Sequence, residues 1–198
     1  MAADPLPVDK RRLRAEQGRD RVVEALLAFF AEGEPQPGAA RIAERAGVSE
    51  RSVFRYFDDL DALAAEAVRR QTERVRDVYE APAATGDLDT RIAAIVDQRL
   101  RIHRAVAVTS EAARRIEPRA DSVARALAHR NRVLREQAEA QFAPELDREP
   151  AATRPELLDA LDAALAFEQI DQLRRIAGHS PARVRALTRR TLHALLTH

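Results

Sequence analysis

Between Ser49 and Tyr56 the chain reads Ser-Glu-Arg-Ser-Val-Phe-Arg-Tyr. Hydroxyls at Ser49 and Ser52, guanidiniums at Arg51 and Arg55, the Glu50 carboxylate and the Tyr56 phenol crowd into two helical turns. This set holds no nucleophile paired with a base and no metal-ligand spacing; its chemistry is recognition. An arginine can grip the edge of a guanine with two parallel hydrogen bonds, and a glutamate can accept from a cytosine amino group. Serine, arginine and tyrosine donate to phosphate, which orients a protein without encoding sequence. Val53 and Phe57 fall on the opposite side, leaving Glu50, Arg51, Phe54 and Arg55 outward. A second basic cluster, Lys10, Arg11 and Arg12 with Arg14, lies upstream and could contact phosphate as an arm. The competing reading of that cluster is a solvated charged end.

Those side chains need a frame. The stretch Gly38–Phe57, GAARIAERAGVSERSVFRYF, predicts a helix over about 39–46, a tight turn at Ala46-Gly47-Val48 and a second helix over about 50–56 opened by Ser49. Small residues and a glycine at such a turn let two helices cross closely, as in a helix-turn-helix. Helices of two turns do not stand alone in water. A longer helix ending near Ala31, with Val22, Val23, Leu26, Leu27 and Phe30 on one face, supplies the third wall. Beyond Phe57 the pattern predicts helices over about 60–79, 88–104, on to 116, 118–142, 155–177 and 181 onward, about nine in all. The segment from Pro144 to Pro155 reads as a loop. Gly178, Ser180 and Pro181 form a helix stop followed by a helix start. No strand-like alternation and no internal repeat appear, so the fold class is all-α: a three-helix domain over residues 1–59 and a helical bundle over 60–198.

Composition limits the alternatives. The chain has 198 residues, 45% apolar and 33% charged, which fits a globular protein with a buried core. Its net charge is only +1, so any case for binding a polyanion is local to the clusters above. With no cysteine, disulfides, thiolate metal sites and thiol nucleophiles are excluded. No Glu-x-x-His or HExxH pairing, phosphate loop, dinucleotide fingerprint or nucleophile elbow is present, so neither an enzyme nor a cofactor or metal is expected. The N-terminal residues lack an apolar core of signal-peptide length and no apolar run is long enough to span a bilayer, making the cytoplasm the expected compartment.

The string IAERAGVSERSVFRYF resembles the signature of the TetR family of bacterial transcriptional regulators. Ile42-Ala43, Ala46-Gly47-Val48-Ser49, Ser52, Val53, Phe54, Arg55-Tyr56 and Phe57 carry the match. Three positions depart from the pattern. Gly38 stands where threonine often opens the first of the two short helices, Phe54 replaces a usual tyrosine, and Leu60 replaces a common lysine. Each departure removes a phosphate contact, leaving Arg51, Arg55 and the N-terminal cluster to carry the electrostatics.

The resemblance implies a double-stranded DNA operator read by Ser49, Glu50, Arg51, Ser52, Phe54, Arg55 and Tyr56, assisted by Lys10, Arg11 and Arg12. It further implies a C-terminal bundle that holds a small-molecule effector and pairs two subunits through the eighth and ninth helices. Polar residues on otherwise apolar stripes are the candidates for effector contact: Gln71, Arg99, His103, Asn131, Glu168 and Gln172. Leu161, Leu165, Leu173, Ile176, Val184, Leu187, Leu192 and Leu195 are the candidates for the homodimer interface. The rival to a repressor released from its operator by an effector is an all-α protein-interaction module whose helix-turn-helix is vestigial.

Overall fold

The computed structural model describes residues 10–79 and 84–197, and among the described residues the regular elements are helical, without strands. Helix α1 spans Lys10–Ala31. The basic cluster expected to serve as an arm is helical from Lys10 onward. Arginine, leucine, alanine, glutamate and glutamine all favour helix, and Arg12 Nε donates to Glu16 Oε1 at 3.0 Å, one turn on. Val22, Val23, Leu26, Phe29 and Phe30 are buried. The helix stops where Gly33 adopts a left-handed φ of 81°.

Helix α2 (Ala39–Ala46) and α3 (Glu50–Tyr56) pack on α1 and on each other. Asp59 caps α4 (Leu60–Arg74), its Oδ1 accepting from the Ala62 N–H at 2.6 Å. The single helix expected over 60–79 is divided by a turn at Val75, after which α5 covers Arg76–Tyr79. Conversely, two expected helices are one: α6 runs unbroken over Leu88–Ile116. A short 3-10 turn, Glu117–Arg119, then leads into α7 (Asp121–Gln141). Within the expected loop lies α8 (Ala143–Leu146). The long helix expected over 155–177 is α9 (Arg154–Leu165) followed by α10 (Phe167–Asp171), interrupted by Ala166 in an extended conformation with ψ 147°. A π turn, Gln172–Ile176, follows, and α11 occupies Pro181–Leu196 with the Ser180 hydroxyl accepting from the Arg183 N–H.

The chain divides into two compact units, residues 1–71 with 108–126 and residues 72–107 with 127–198. In the first, Ile42, Ala43, Ala46, Val53 and Phe57 meet the α1 stripe, and Leu63 and Ala67 add the inner face of α4. A charged seam also ties α1 to α4: Arg19 Nη1 donates to Glu66 Oε1 at 3.0 Å, and Arg70 Nη2 to Asp20 Oδ1 at 2.7 Å. In the second unit Ile92, Ile95, Val96, Phe142, Leu146, Leu158, Leu161, Leu165 and Leu192 form one apolar cluster. Tyr79, Ile102, Val106, Leu134 and Phe167 form another. No helix among the described residues is long and apolar enough to cross a membrane.

Candidate nucleic-acid interface

The turn between α2 and α3 is built by two residues. Gly47 adopts φ 63°, ψ 41°, and its N–H donates to Glu44 O at 3.1 Å while the Val48 N–H donates to Ala43 O at 3.0 Å. This pair of bonds satisfies carbonyls that the end of α2 leaves open, and only glycine adopts the left-handed conformation without a Cβ penalty. Ser49 then caps α3: its Oγ accepts from the Ser52 N–H at 3.2 Å and lies 2.9 Å from Ser52 Oγ. Val53 and Phe57 are buried, as their spacing predicts, and Glu50, Arg51, Phe54 and Arg55 are exposed.

The exposed side chains are not equivalent. Arg55 Nη2 donates to Tyr56 OH at 3.2 Å and to Ser52 Oγ at 3.4 Å, with its guanidinium 5.1 Å from the Tyr56 ring centroid. Its position is therefore fixed before any ligand arrives. Arg51 and Glu50 make no hydrogen bond or ion pair among the described residues, so the Arg51 fork is free to pair outward. Phe54 is 48% exposed, an unusual position for a large aromatic side chain. Arg41 and Arg45 on α2 are already engaged: Arg41 pairs with Glu34, Arg45 with Glu32 at 2.9 Å, and both guanidiniums lie over the Phe29 ring. Among the described residues Arg12 pairs with Glu16, both side chains being exposed, and such a pair is energetically weak and readily exchanged. The side chains of Lys10 and Arg11 lie outside the described residues.

Gly18, which the sequence reading passed over, has a specific role. A Cβ built there would collide with the Tyr56 hydroxyl and meet Tyr56 Cζ at 2.9 Å. The glycine lets the phenol lie against α1, and the phenol in turn props Arg55. The available signal was a glycine inside a strong helical pattern, where it costs about 1 kcal/mol relative to alanine.

The second unit sorts the remaining candidates. Arg99 and His103 are buried, whereas Asn131, Glu168 and Gln172 are exposed and Gln71, in the first unit, is half-buried. On α7 the inward polar position belongs to Arg130, not Asn131, while Val123, Leu127, Leu134 and Ala138 are buried. Arg99 Nη1 donates to Gln98 Oε1 at 2.6 Å and Gln137 Oε1 at 3.0 Å, and Nη2 to Leu134 O at 2.6 Å. Burial lowers its pKa to about 10, leaving it protonated at neutral pH. His103 stacks on Phe167 with centroids 4.6 Å apart, its Nε2 3.3 Å from Asp171 Oδ1.

Of the interface candidates, Leu161, Leu165, Val184 and Leu192 are corrected: all four are buried within this chain and have no surface to offer a partner. They turn inward because α9 and α11 pack on each other. Leu173, Leu187 and Leu195 are half-buried, and Ile176 is 66% exposed.

A capped, glycine-turned helix pair braced by a third helix, with an arginine-bearing outer face, defines a helix-turn-helix DNA-binding domain. A family model described as bacterial regulatory proteins, tetR family, matches residues 22–67. Two curated relatives, uncharacterized HTH-type transcriptional regulators from two strains of Mycobacterium tuberculosis, are each 36% identical over 63 residues. That match spans 31% of this chain and 31% of each relative. The fold extends further. A transcriptional regulator from Rhodococcus sp. Rha1 superposes with TM-score 0.71 at 18% identity, covering 90% of this chain and 96% of that one. A tetR-family transcriptional regulator from Streptomyces coelicolor gives 0.66 at 18% identity, covering 91% and 79%. Residues 22–67 thus resemble the DNA-binding domain of the TetR family of bacterial transcriptional regulators, and the helical fold of such regulators extends over the rest of the chain.

Proposed function

We propose that the chain is a cytoplasmic repressor that binds a near-palindromic operator as a homodimer and leaves it when a small molecule occupies the C-terminal unit. The observation that carries this reading is the outer face of α3, where a free Arg51 and a propped Arg55 flank an exposed Phe54. Arg51 pairs with a guanine edge, Glu50 accepts from a cytosine amino group and Phe54 packs on a thymine methyl. Ser49, Ser52, Arg55 and Tyr56 position the helix against phosphate, with Lys10, Arg11 and Arg12 adding charge.

One short recognition helix makes few contacts, so two copies about 34–36 Å apart, in successive major grooves, are the mechanical expectation. Ile176 with the exposed parts of Leu173, Leu187 and Leu195 is the apolar surface left for pairing. Release requires an effector that binds more tightly to the arrangement in which the recognition helices no longer match that spacing.

The test is selection of binding sites from a random duplex library, followed by gel shift with salt titration. The expected result is enrichment of an inverted repeat with half-sites one helical turn apart, bound with an affinity that falls steeply with salt. Enrichment of no sequence, or of a single unrepeated half-site, overturns the dimeric repressor.

A further inference from the structure

Resting on the reading that an effector occupies the C-terminal unit, we infer that this effector is an organic anion, with its negative group held by Arg99 and Tyr79. Arg99 is 3% exposed, and among the described residues no carboxylate forms an ion pair with it. Its three hydrogen bonds run to two amide oxygens and one backbone carbonyl, so two of its five donors have no acceptor among the described residues. Asp162 attracts it only through space and is itself paired with Arg135, and a buried guanidinium with no carboxylate in contact is costly.

The second observation is independent. The Tyr79 hydroxyl is buried and has no hydrogen-bond partner among the described residues, Tyr79 being only 4% exposed. Burial raises its pKa, so the phenol stays protonated and can only gain by donating to an acceptor. Leu134, whose carbonyl accepts from Arg99, packs in the cluster that holds Tyr79, so a protonated phenol and a guanidinium with two spare donors lie in one neighbourhood and together suit a carboxylate or phosphate. Ile102, Val106, Leu134 and Phe167 surround Tyr79, so the remainder of the ligand is apolar.

The helix that carries Arg99 also borders a groove open to solvent. The groove, of about 680 Å³, is lined by Arg101, Arg104 and Arg174 and reaches His103 and Ala107. Its Asp97 and Asp171 are already paired with arginines, so its net field attracts anions. His103 stacks on Phe167 of the apolar cluster, linking the groove to it.

The experiment measures melting temperature and calorimetric affinity of the full chain with octanoate, decanoate, phenylacetate and octyl phosphate. Octanol, decanol and phenylacetamide serve as uncharged counterparts, and operator release is read separately by fluorescence anisotropy. Anions bind and uncharged counterparts bind at least tenfold more weakly; the carboxylate and phosphate arms show which head group fits. Tyr79→Phe weakens anion binding by about tenfold, the worth of one hydrogen bond to a charged group. The ligand-free melting temperature of that variant is unchanged, because its hydroxyl has no partner to lose. Arg99→Gln abolishes anion binding. Equal binding of the uncharged compounds, binding unaffected by Tyr79→Phe, or binding by none of the compounds overturns the anion site. Release of operator by an uncharged compound from a wider library would overturn it too, while leaving the effector reading intact.

Discussion

Arg51 and Arg55 sit one helical turn apart on α3 and differ in what holds them. Arg55 is bonded to Ser52 and Tyr56, whereas Arg51 has no hydrogen bond or ion pair among the described residues. Arg51→Ala is expected to relax preference at one base pair of each half-site by about 1–3 kcal/mol. Arg55→Ala weakens binding to all sequences alike and reduces the salt slope by about one. Competition gel shifts against a set of single-base operator variants separate the two; unchanged selectivity in Arg51→Ala removes it from base readout. Gly47→Ala tests the turn. A Cβ there meets nothing within 4 Å, so the expected loss of about 1–2 kcal/mol is pure backbone strain, measurable by denaturant unfolding.

At the scale of elements, the α1–α4 seam makes stability depend on pH. The hydrogen bond from Arg69 holds the Glu66 carboxyl below its ordinary value of 4.5, opposed by burial and assisted by Arg19. A carboxyl whose folded pKa is depressed stabilises the fold above its unfolded pKa, and that contribution is lost as pH falls through the folded value. Glu66→Gln is therefore expected to be less stable than the parent at pH 7, with the gap closing as pH falls through the depressed folded pKa of Glu66. Urea unfolding at a series of pH values checks this. In the second unit Arg91 grips Glu145 with two bonds, at 2.5 and 2.7 Å, both side chains being nearly enclosed. Arg91→Ala strands that carboxylate at a cost of about 3 kcal/mol, and adding Glu145→Ala recovers part of the loss.

Elements defined by neighbours in sequence were readable before any coordinates. The turn at Gly47, the cap at Ser49 and the inward pair Val53 and Phe57 depend on residues within one or two turns of each other. The break at Ala166 was not readable, because an alanine carries no local signal against helix; packing alone imposes it. Asn131 was expected inward, where Arg130 lies, for a related reason. Next to each other on one helix, a long arginine and a short asparagine are separated only by which face the tertiary structure covers. Tyr79 drew no notice because a buried phenol without a partner is a property of its surroundings, not of its sequence.

For the whole molecule, the burial of Leu161, Leu165, Val184 and Leu192 separates folding from assembly. Leu161→Ala is expected to lower stability by about 2–5 kcal/mol through the cavity it leaves, without altering subunit association. Ile176→Asp, at an exposed site, should leave the unfolding transition in place while shifting light scattering toward monomer and abolishing operator binding. Wild-type monomers at micromolar concentration would end the dimeric account.

The contact between Gly18 and Tyr56 has a consequence for anyone who would move this reading head elsewhere. Grafting residues 38–57 onto another helical scaffold copies the recognition surface but leaves behind its seat. A recipient with alanine or anything larger at the position facing Tyr56 would push the phenol outward and swing Arg55 with it. The portable unit is thus the twenty-residue segment plus one distant glycine, and a chimera that omits the glycine should bind DNA poorly despite an intact recognition sequence.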